Sequence, residues 1–283
     1  MKFLRRKSLV KLISLMLFLP LQATSAYAVT DSRYALVIGN SNYQHAAKLK
    51  NPGNDSTDLA KTLRNLNFET TLIQNATKNQ IKKSVEVFIA TLKKSGGVGL
   101  FYYAGHGVQF EGSNYLIPIE TTTGTEQQIK DQSYNIAGLL DGMRKINTAT
   151  NIIILDACRN NPFDTISQYG TRSVTSSKSR SMVRVSIPKL DSGLSKLDAP
   201  SNTLIAFATA PGKVALDGDG RNSPYTLKLI ESMQRTGLTI GEVFRQVRSS
   251  VVKYSNGRQI PWESSSLIQD FYFKHRTFIP MGF

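Results

Sequence analysis

The chain predicts an α/β protein built on a mostly parallel sheet with helices on both faces. Two observations carry this. The runs Val98-Gly-Leu-Phe-Tyr-Tyr-Ala104 and Asn151-Ile-Ile-Ile-Leu-Asp156 are almost continuously apolar, the pattern of strands buried on both faces. Amphipathic segments of helical spacing separate such runs, so strand and helix alternate as in parallel sheets with crossover helices.

Taken in order, Arg33 to Gly39 reads as the first strand. Asn54 to Leu66 repeats apolar or small residues at Leu59, Ala60, Leu63 and Leu66, a helix with Asn54 or Asp55 as its expected cap. Phe68 to Ile73 is the second strand, and Thr77 to Lys94 aligns Ile81, Val85, Phe88, Ile89 and Leu92 on one helical face. Gly97 to Tyr103 is the third strand, Tyr115 to Ile119 a short extra one, Ile136 to Ile146 a helix and Asn151 to Asp156 the fourth strand. Thr165 to Asp198 is rich in Ser, Thr, Lys and Arg without periodicity and reads as a basic linker, 165–201 in all. Order resumes with a strand at Asn202 to Thr209, helices at Tyr225 to Met233 and Ile240 to Tyr254, and a last strand region at Leu267 to Phe273.

Residues 1–28 read as an export signal. Lys2, Arg5, Arg6, Lys7 and Lys11 precede the apolar stretch Leu12 to Leu21, and Ala26-Tyr27-Ala28 has the small-x-small form of a cleavage site. An exported, periplasmic or secreted protein beginning at Val29 is therefore expected, without a stable membrane anchor; an uncleaved anchor is the alternative, and Arg5-Arg6 leaves the twin-arginine route open. The net charge of +15 loses five positive charges with that segment. The remaining excess is scattered, with no zinc spacing and no basic helix interleaved with aromatics, so nucleic acid is not an expected partner.

The chemistry concentrates at two strand ends. Cys158 is the only cysteine of 283 residues, so in an exported chain it makes no internal disulfide and is either a buried inert thiol or a reactive one. Asp156 and Arg159 flank it, an unusual setting for an inert core position. His106 stands between Gly105 and Gly107 after the third strand, 52 positions earlier. In a parallel sheet ligands gather beyond the carboxyl ends of strands, where Gly39-Asn40, His106 and Cys158 would meet. A histidine beside a cysteine activates it as a nucleophile, and the backbone N–H groups of Gly107 and Cys158 are the expected oxyanion donors. No orienting group for His106 is identifiable; His45 is a distant second candidate for the base.

Tyr-Tyr-Ala-Gly-His106-Gly and Asp156-Ala-Cys158-Arg159 resemble the dyad motifs of the caspase-like cysteine peptidases (clan CD, peptidase C14), within them the metacaspase and orthocaspase branch. Leu36-Val-Ile-Gly-Asn-Ser-Asn-Tyr43, Leu49-Lys-Asn-Pro-Gly-Asn-Asp55, Asp156-Ala-Cys-Arg-Asn-Asn-Pro-Phe163 and Gln259-Ile-Pro-Trp262 agree in order. The resemblance implies a caspase-like fold with a six-stranded sheet. It also implies a larger catalytic half at 29–164 and a smaller half at 202–283 that completes the sheet. It implies a cysteine endopeptidase with Cys158 and His106 as its dyad. Animal caspases carry Gln where this chain has Asp156, and cut after Asp. Asp156 lies two residues before Cys158, on the same side of a strand, and a carboxylate there favours a basic P1 side chain.

Asp55 matches the second acidic pocket residue of metacaspases, with a helix cap as its other reading, and Trp262 matches the groove loop, with core packing as the alternative. Peptides or proteins with Arg or Lys at P1 are thus the expected partners. Arg172, Lys178, Arg180, Arg184 and Lys189 in the linker are candidate self-cleavage sites. No cofactor is required by this chemistry. Many metacaspases use calcium, but Glu120, Glu126 and Asp131 form no dense acidic loop, so calcium dependence is not the expectation here. The rival readings are a catalytically silent caspase-fold binding module in the cell envelope and a basic protein that binds anionic polymers. Oligomeric state is left open.

Overall fold

The computed structural model describes residues 32–146, 150–158, 194–211, 213 and 215–276, with Cys158 described through its backbone alone. The expected export signal (1–28) and the candidate self-cleavage sites Arg172, Lys178, Arg180, Arg184 and Lys189 lie outside these residues.

The strands are Arg33–Gly39 (β1), Glu69–Gln74 (β2), Val98–Phe110 (β3), Ser113–Leu116 (β4), Tyr134–Asn135 (β5), Thr150–Cys158 (β6), Thr203–Phe207 (β7) and Trp262–Ser265 (β8). The helices are Pro52–Asn65 (α1), Lys78–Ser95 (α2), Glu126–Gln132 (α3), Ala137–Arg144 (α4), Pro224–Met233 (α5) and Ile240–Tyr254 (α6). Six strands run in the order β2-β1-β3-β6-β7-β8. All neighbours on this path are parallel except β7 and β8. The expected caspase-like sheet is therefore present, with its single antiparallel strand at the edge. Beyond the parallel part, β3 folds back antiparallel on β4, and β4 pairs with β5.

The apolar side chains of the sheet split by alternation into two cores. Val37, Leu100, Tyr102, Ile152 and Ile154 pack under α1, α5 and α6. Leu36, Phe101, Tyr103, Ile153 and Leu155 pack under α2 and α4. Burying each such side chain stabilises the fold by about 1.5–3 kcal/mol. Capping boxes at Thr77/Gln80 and Thr239/Glu242 fix the starts of α2 and α6.

Four expectations change. The third strand does not stop before Gly105: β3 runs 13 residues through His106 to Phe110, because β4 continues its hydrogen bonding after the parallel partner ends. The first helix begins at Pro52, whose missing N–H costs nothing at that position. Asp55 is thus inside the first turn, and its cap reading is corrected. Helix α3 has no counterpart in the sequence reading, having one buried apolar residue, Ile129, and so no periodicity. Leu267 to Phe273 holds no strand. The final strand is β8, and Tyr272 makes one isolated bridge to Thr239, while Phe271 and Phe273 are buried against the α1-α5-α6 core.

Candidate functional site

Parallel pairing of β3 with β6 sets Ala104 beside Asp156, Gly105 beside Ala157 and His106 beside Cys158. Register partners on adjacent strands have backbones about 4.8 Å apart. The two positions singled out in the sequence therefore stand side by side at the carboxyl end of the sheet.

The imidazole of His106 is held by the loop between β1 and α1. Its Nε2 lies 2.7 Å from the carbonyl oxygen of Ala47. A carbonyl only accepts, so Nε2 carries the hydrogen and Nδ1 keeps a lone pair. That Nδ1 is buried and has no hydrogen-bond partner among the described residues. Burial pushes the His106 pKa below its ordinary value, opposed by the bond to Ala47, so the neutral ring is the resting form around pH 7.

Two tyrosines fix the His106 backbone. Its N–H donates to the Tyr43 hydroxyl at 2.7 Å, and the Tyr43 ring lies against the imidazole with centroids 4.4 Å apart. The Tyr103 hydroxyl sits 2.9 Å from the His106 carbonyl oxygen and 3.0 Å from that of Ile117. Gly105 has φ +153°, and a Cβ there would come within 2.6 Å of the Tyr43 hydroxyl; only glycine fits between these phenols. At Gly107 a Cβ would sit 3.1 Å from Ala157 and 3.2 Å from Leu194. Close packing thus gives that glycine a reason of its own. Asn40, fully buried, ties the same rim together: its side chain accepts from Ala76 N–H at 2.8 Å and donates to the Ile117 carbonyl at 3.2 Å.

A second cluster lies on the α5 side. The Asp156 Oδ2 accepts from Ser223 Oγ at 2.5 Å and from Thr226 Oγ1 at 2.8 Å. Asp55, from the first turn of α1, accepts from the Ser223 N–H at 2.9 Å. Ser223 is the cap of α5, its hydroxyl also accepting from Thr226 N–H at 3.0 Å. One serine thus joins both carboxylates at the positive end of a helix. Burial, then the neighbouring Asp156 carboxylate, push Asp55 up to about 8, against hydrogen bonds from Ser223 and Asn222. Asp156 is 7% exposed and Asp55 1%, so Asp156 is the more accessible of the two.

The remaining predicted residues are more dispersed. Trp262 is 42% exposed on edge strand β8, paired with Phe207, so it is neither in a loop nor in the core. His45 is exposed. Glu120 accepts from Lys78 N–H, Glu126 pairs with Lys130, and Asp131 accepts from Gln127; the three are engaged separately. The sequence reading missed the Ala47 carbonyl, Tyr43 and Ser223. A backbone carbonyl leaves no mark in a sequence. Ser223-Pro224 has the residue types of a helix start, but nothing in the sequence makes Ser223 a bridge between two acids distant in the chain.

A family model of the caspase domain, peptidase C14, matches residues 32–272. The human mucosa-associated lymphoid tissue lymphoma translocation protein 1 is 30% identical over 138 residues, 49% of this chain and 16% of its own length. Its mouse homolog is 31% identical over 131 residues, 46% and 15% respectively. The chain matches less than one fifth of the length of these curated relatives. Among solved structures, caspase-1 of Spodoptera frugiperda superposes with a TM-score of 0.62 at 17% identity, covering 88% of this chain and 95% of the other, a likeness of fold.

Proposed function

Since the chain belongs to the caspase-domain family of cysteine peptidases, we propose that it is an endopeptidase that cleaves after Arg or Lys, with Cys158 as nucleophile and His106 as base. One observation carries this reading: a buried imidazole in register with Cys158, its Nε2–H committed to a backbone carbonyl and its Nδ1 lone pair unpartnered among the described residues.

The thiol proton passes to His106 Nδ1, and the sulfur attacks the carbonyl carbon of the scissile bond. The carbonyl oxygen becomes an oxyanion, for which the N–H groups of Gly107 and Cys158 are the proposed donors. The imidazolium returns its proton to the leaving amine as the C–N bond breaks, leaving a thioester. Water then attacks with His106 again taking a proton, and the acid departs as the thiol is restored. The low pKa of His106 favours a neutral resting base over a standing ion pair. Asp156 and Asp55 receive the basic P1 side chain, and Trp262 flanks the groove at a more distant subsite. The basic segment with Arg172, Lys178, Arg180, Arg184 and Lys189 is the proposed self-processing region. In support, Cys158 on β6 and Leu194 beside Gly107, the described residues on either side of the segment, both border the site.

Peptides differing only at P1, offered to purified wild type and to Cys158→Ala with mass spectrometry of both chains, test the reading. Arg and Lys should be cleaved far ahead of Asp, with fragments between Arg172 and Lys189 in wild type alone. Cleavage after Asp at equal rate, or fragments persisting in Cys158→Ala, contradicts it.

The acid pair adds a pH dependence. Asp55, raised from 3.8 to about 8, is protonated in the empty pocket at neutral pH. A cation beside it favours the carboxylate, so binding a basic P1 residue releases a proton. The kcat/KM for an Arg substrate should climb toward pH about 8 and then level, above the range in which His106 titrates. Asp55→Asn should flatten that climb. For stability the sign is opposite: the folded chain holds a proton that the unfolded chain loses near 3.8. The contribution of Asp55 is therefore whole below that pH and is lost as pH rises through about 8.

A further inference from the structure

The loop that holds His106 is itself held from across the molecule. The two carboxylate oxygens of Asp217, in the segment between β7 and α5, accept consecutive backbone N–H groups: Oδ2 from Lys50 at 2.9 Å and Oδ1 from Asn51 at 3.3 Å. The loop answers in kind. Asn51 Nδ2 donates to the carbonyls of Asp217 at 2.5 Å and Gly218 at 3.1 Å, and Lys50 Nζ donates to the carbonyl of Asp219 at 2.5 Å. Asn51 is fully buried and directly precedes Pro52, the first residue of α1. A carboxylate taking two backbone donors is a charge-assisted contact, stronger than its neutral equivalent.

What this clasp fixes is the base. Three residues before Lys50 stands Ala47, whose carbonyl holds His106 Nε2–H; further back Tyr43 takes the His106 N–H. Between them, Ala46 and Leu49 pack on the small apolar cluster of Tyr43, Val108, Phe110 and Ile117. Four residues after Asn51 stands Asp55, whose N–H donates to the Asn51 carbonyl at 2.8 Å. One short strap thus runs from the imidazole to the acidic pair, and Asp217 pins it in the middle.

We propose that Asp217 is a positioning residue: by clasping the Lys50–Asn51 backbone it holds the Ala47 carbonyl against His106 and keeps the base in its Nε2–H tautomer. This rests on the role of His106 given above, and extends it to a residue that acts through the backbone of Lys50 and Asn51. Each oxygen of Asp217 takes one backbone donor of that loop, and its charge also adds to the rise of Asp55, so the test separates a hold on the loop from a place in the P1 pocket.

The chain has three histidines, so ¹⁵N-histidine labelling gives a spectrum readable ring by ring, with His106→Gln identifying the signal of His106. In the full chain, Asp217→Ala should turn the single Nε2–H tautomer of His106 into a mixture and, by weakening the Ala47 bond that props the ring up against burial, lower its pKa further. Asp217→Asn, of equal size, should do so in part and guards against a variant that fails to fold. With activity, kcat should fall by about 10–10²-fold, as for a misplaced catalytic group, with the preference for Arg over neutral P1 retained. An unchanged His106 spectrum in a folded variant overturns the proposal, as does a loss of P1 preference at unchanged kcat, which would make Asp217 a pocket wall. If wild type cleaves no basic-P1 peptide, the peptidase reading fails alone, and the imidazole spectrum still decides the role of Asp217.

Discussion

Replacing His106 with alanine is expected to lower kcat/KM on an Arg-P1 peptide by about 10²–10⁴-fold, the usual worth of a positioned general base. The loss arises because His106 is the base in register with Cys158 among the described residues, and His45 is exposed on the loop. The variant should also alkylate slowly with iodoacetamide at neutral pH, since an unassisted thiol is mostly protonated there. Folding should survive, because the two tyrosine hydroxyls contact the backbone of residue 106, which alanine retains. A rate within a few fold of wild type would remove His106 from the reaction. Thermal unfolding of the variant, read alongside its kinetics, separates chemical loss from misfolding.

The second large effect is expected at Asp156. Asp156→Asn keeps the volume and leaves an oxygen for Ser223 and Thr226, but removes the charge that meets a basic side chain. Losing one partner of a desolvated ion pair costs about 3–5 kcal/mol, or roughly 10²–10⁴-fold in kcat/KM for Arg at about 1.4 kcal/mol per tenfold. Cleavage after a neutral P1 residue should be spared. The substitution also relieves Asp55 of its largest charge repulsion, so the Asp55 pKa should fall and thermal stability should rise. Activity toward basic substrates and stability are thus expected to move in opposite directions. That divergence marks a carboxylate kept for binding at the expense of the fold. Equal losses for Arg and neutral P1 peptides would contradict this role.

Much of the fold is legible because its strands are long, apolar and buried on both faces. Helix α6 was readable to its ends, Ile240–Tyr254, since its apolar stripe and the Thr239/Glu242 box agree. That His106 and Cys158 lie side by side on adjacent strands was also readable, although β3 continues past His106. The failures have physical causes. The apolar alternation of Leu267 to Phe273 comes from Phe271 and Phe273 covering a helical core, with the Arg33 guanidinium 4.9 Å from the Phe271 ring. Ladder pairing plays little part. The continuation of β3 past Gly105 depends on β4, which was readable as a short strand near Tyr115 but not as the antiparallel partner of β3. The cap reading of Asp55 neglected Pro52, the stronger local signal for a helix start. The groups that orient the site act through backbone atoms or across loops: the Ala47 carbonyl, the Lys50 and Asn51 N–H groups and the double use of Ser223. Their chemistry depends on tertiary placement, which residue identity does not encode.

The most direct measurement is covalent labelling with an irreversible arginyl ketone, followed by peptide mapping. Wild type should be labelled at Cys158 in close to one-to-one amount, with protection by an Arg-P1 peptide and a sharply slower rate in His106→Ala. Absence of any adduct at Cys158 in the folded wild-type chain would contradict the peptidase reading and leave a caspase fold that binds without cutting.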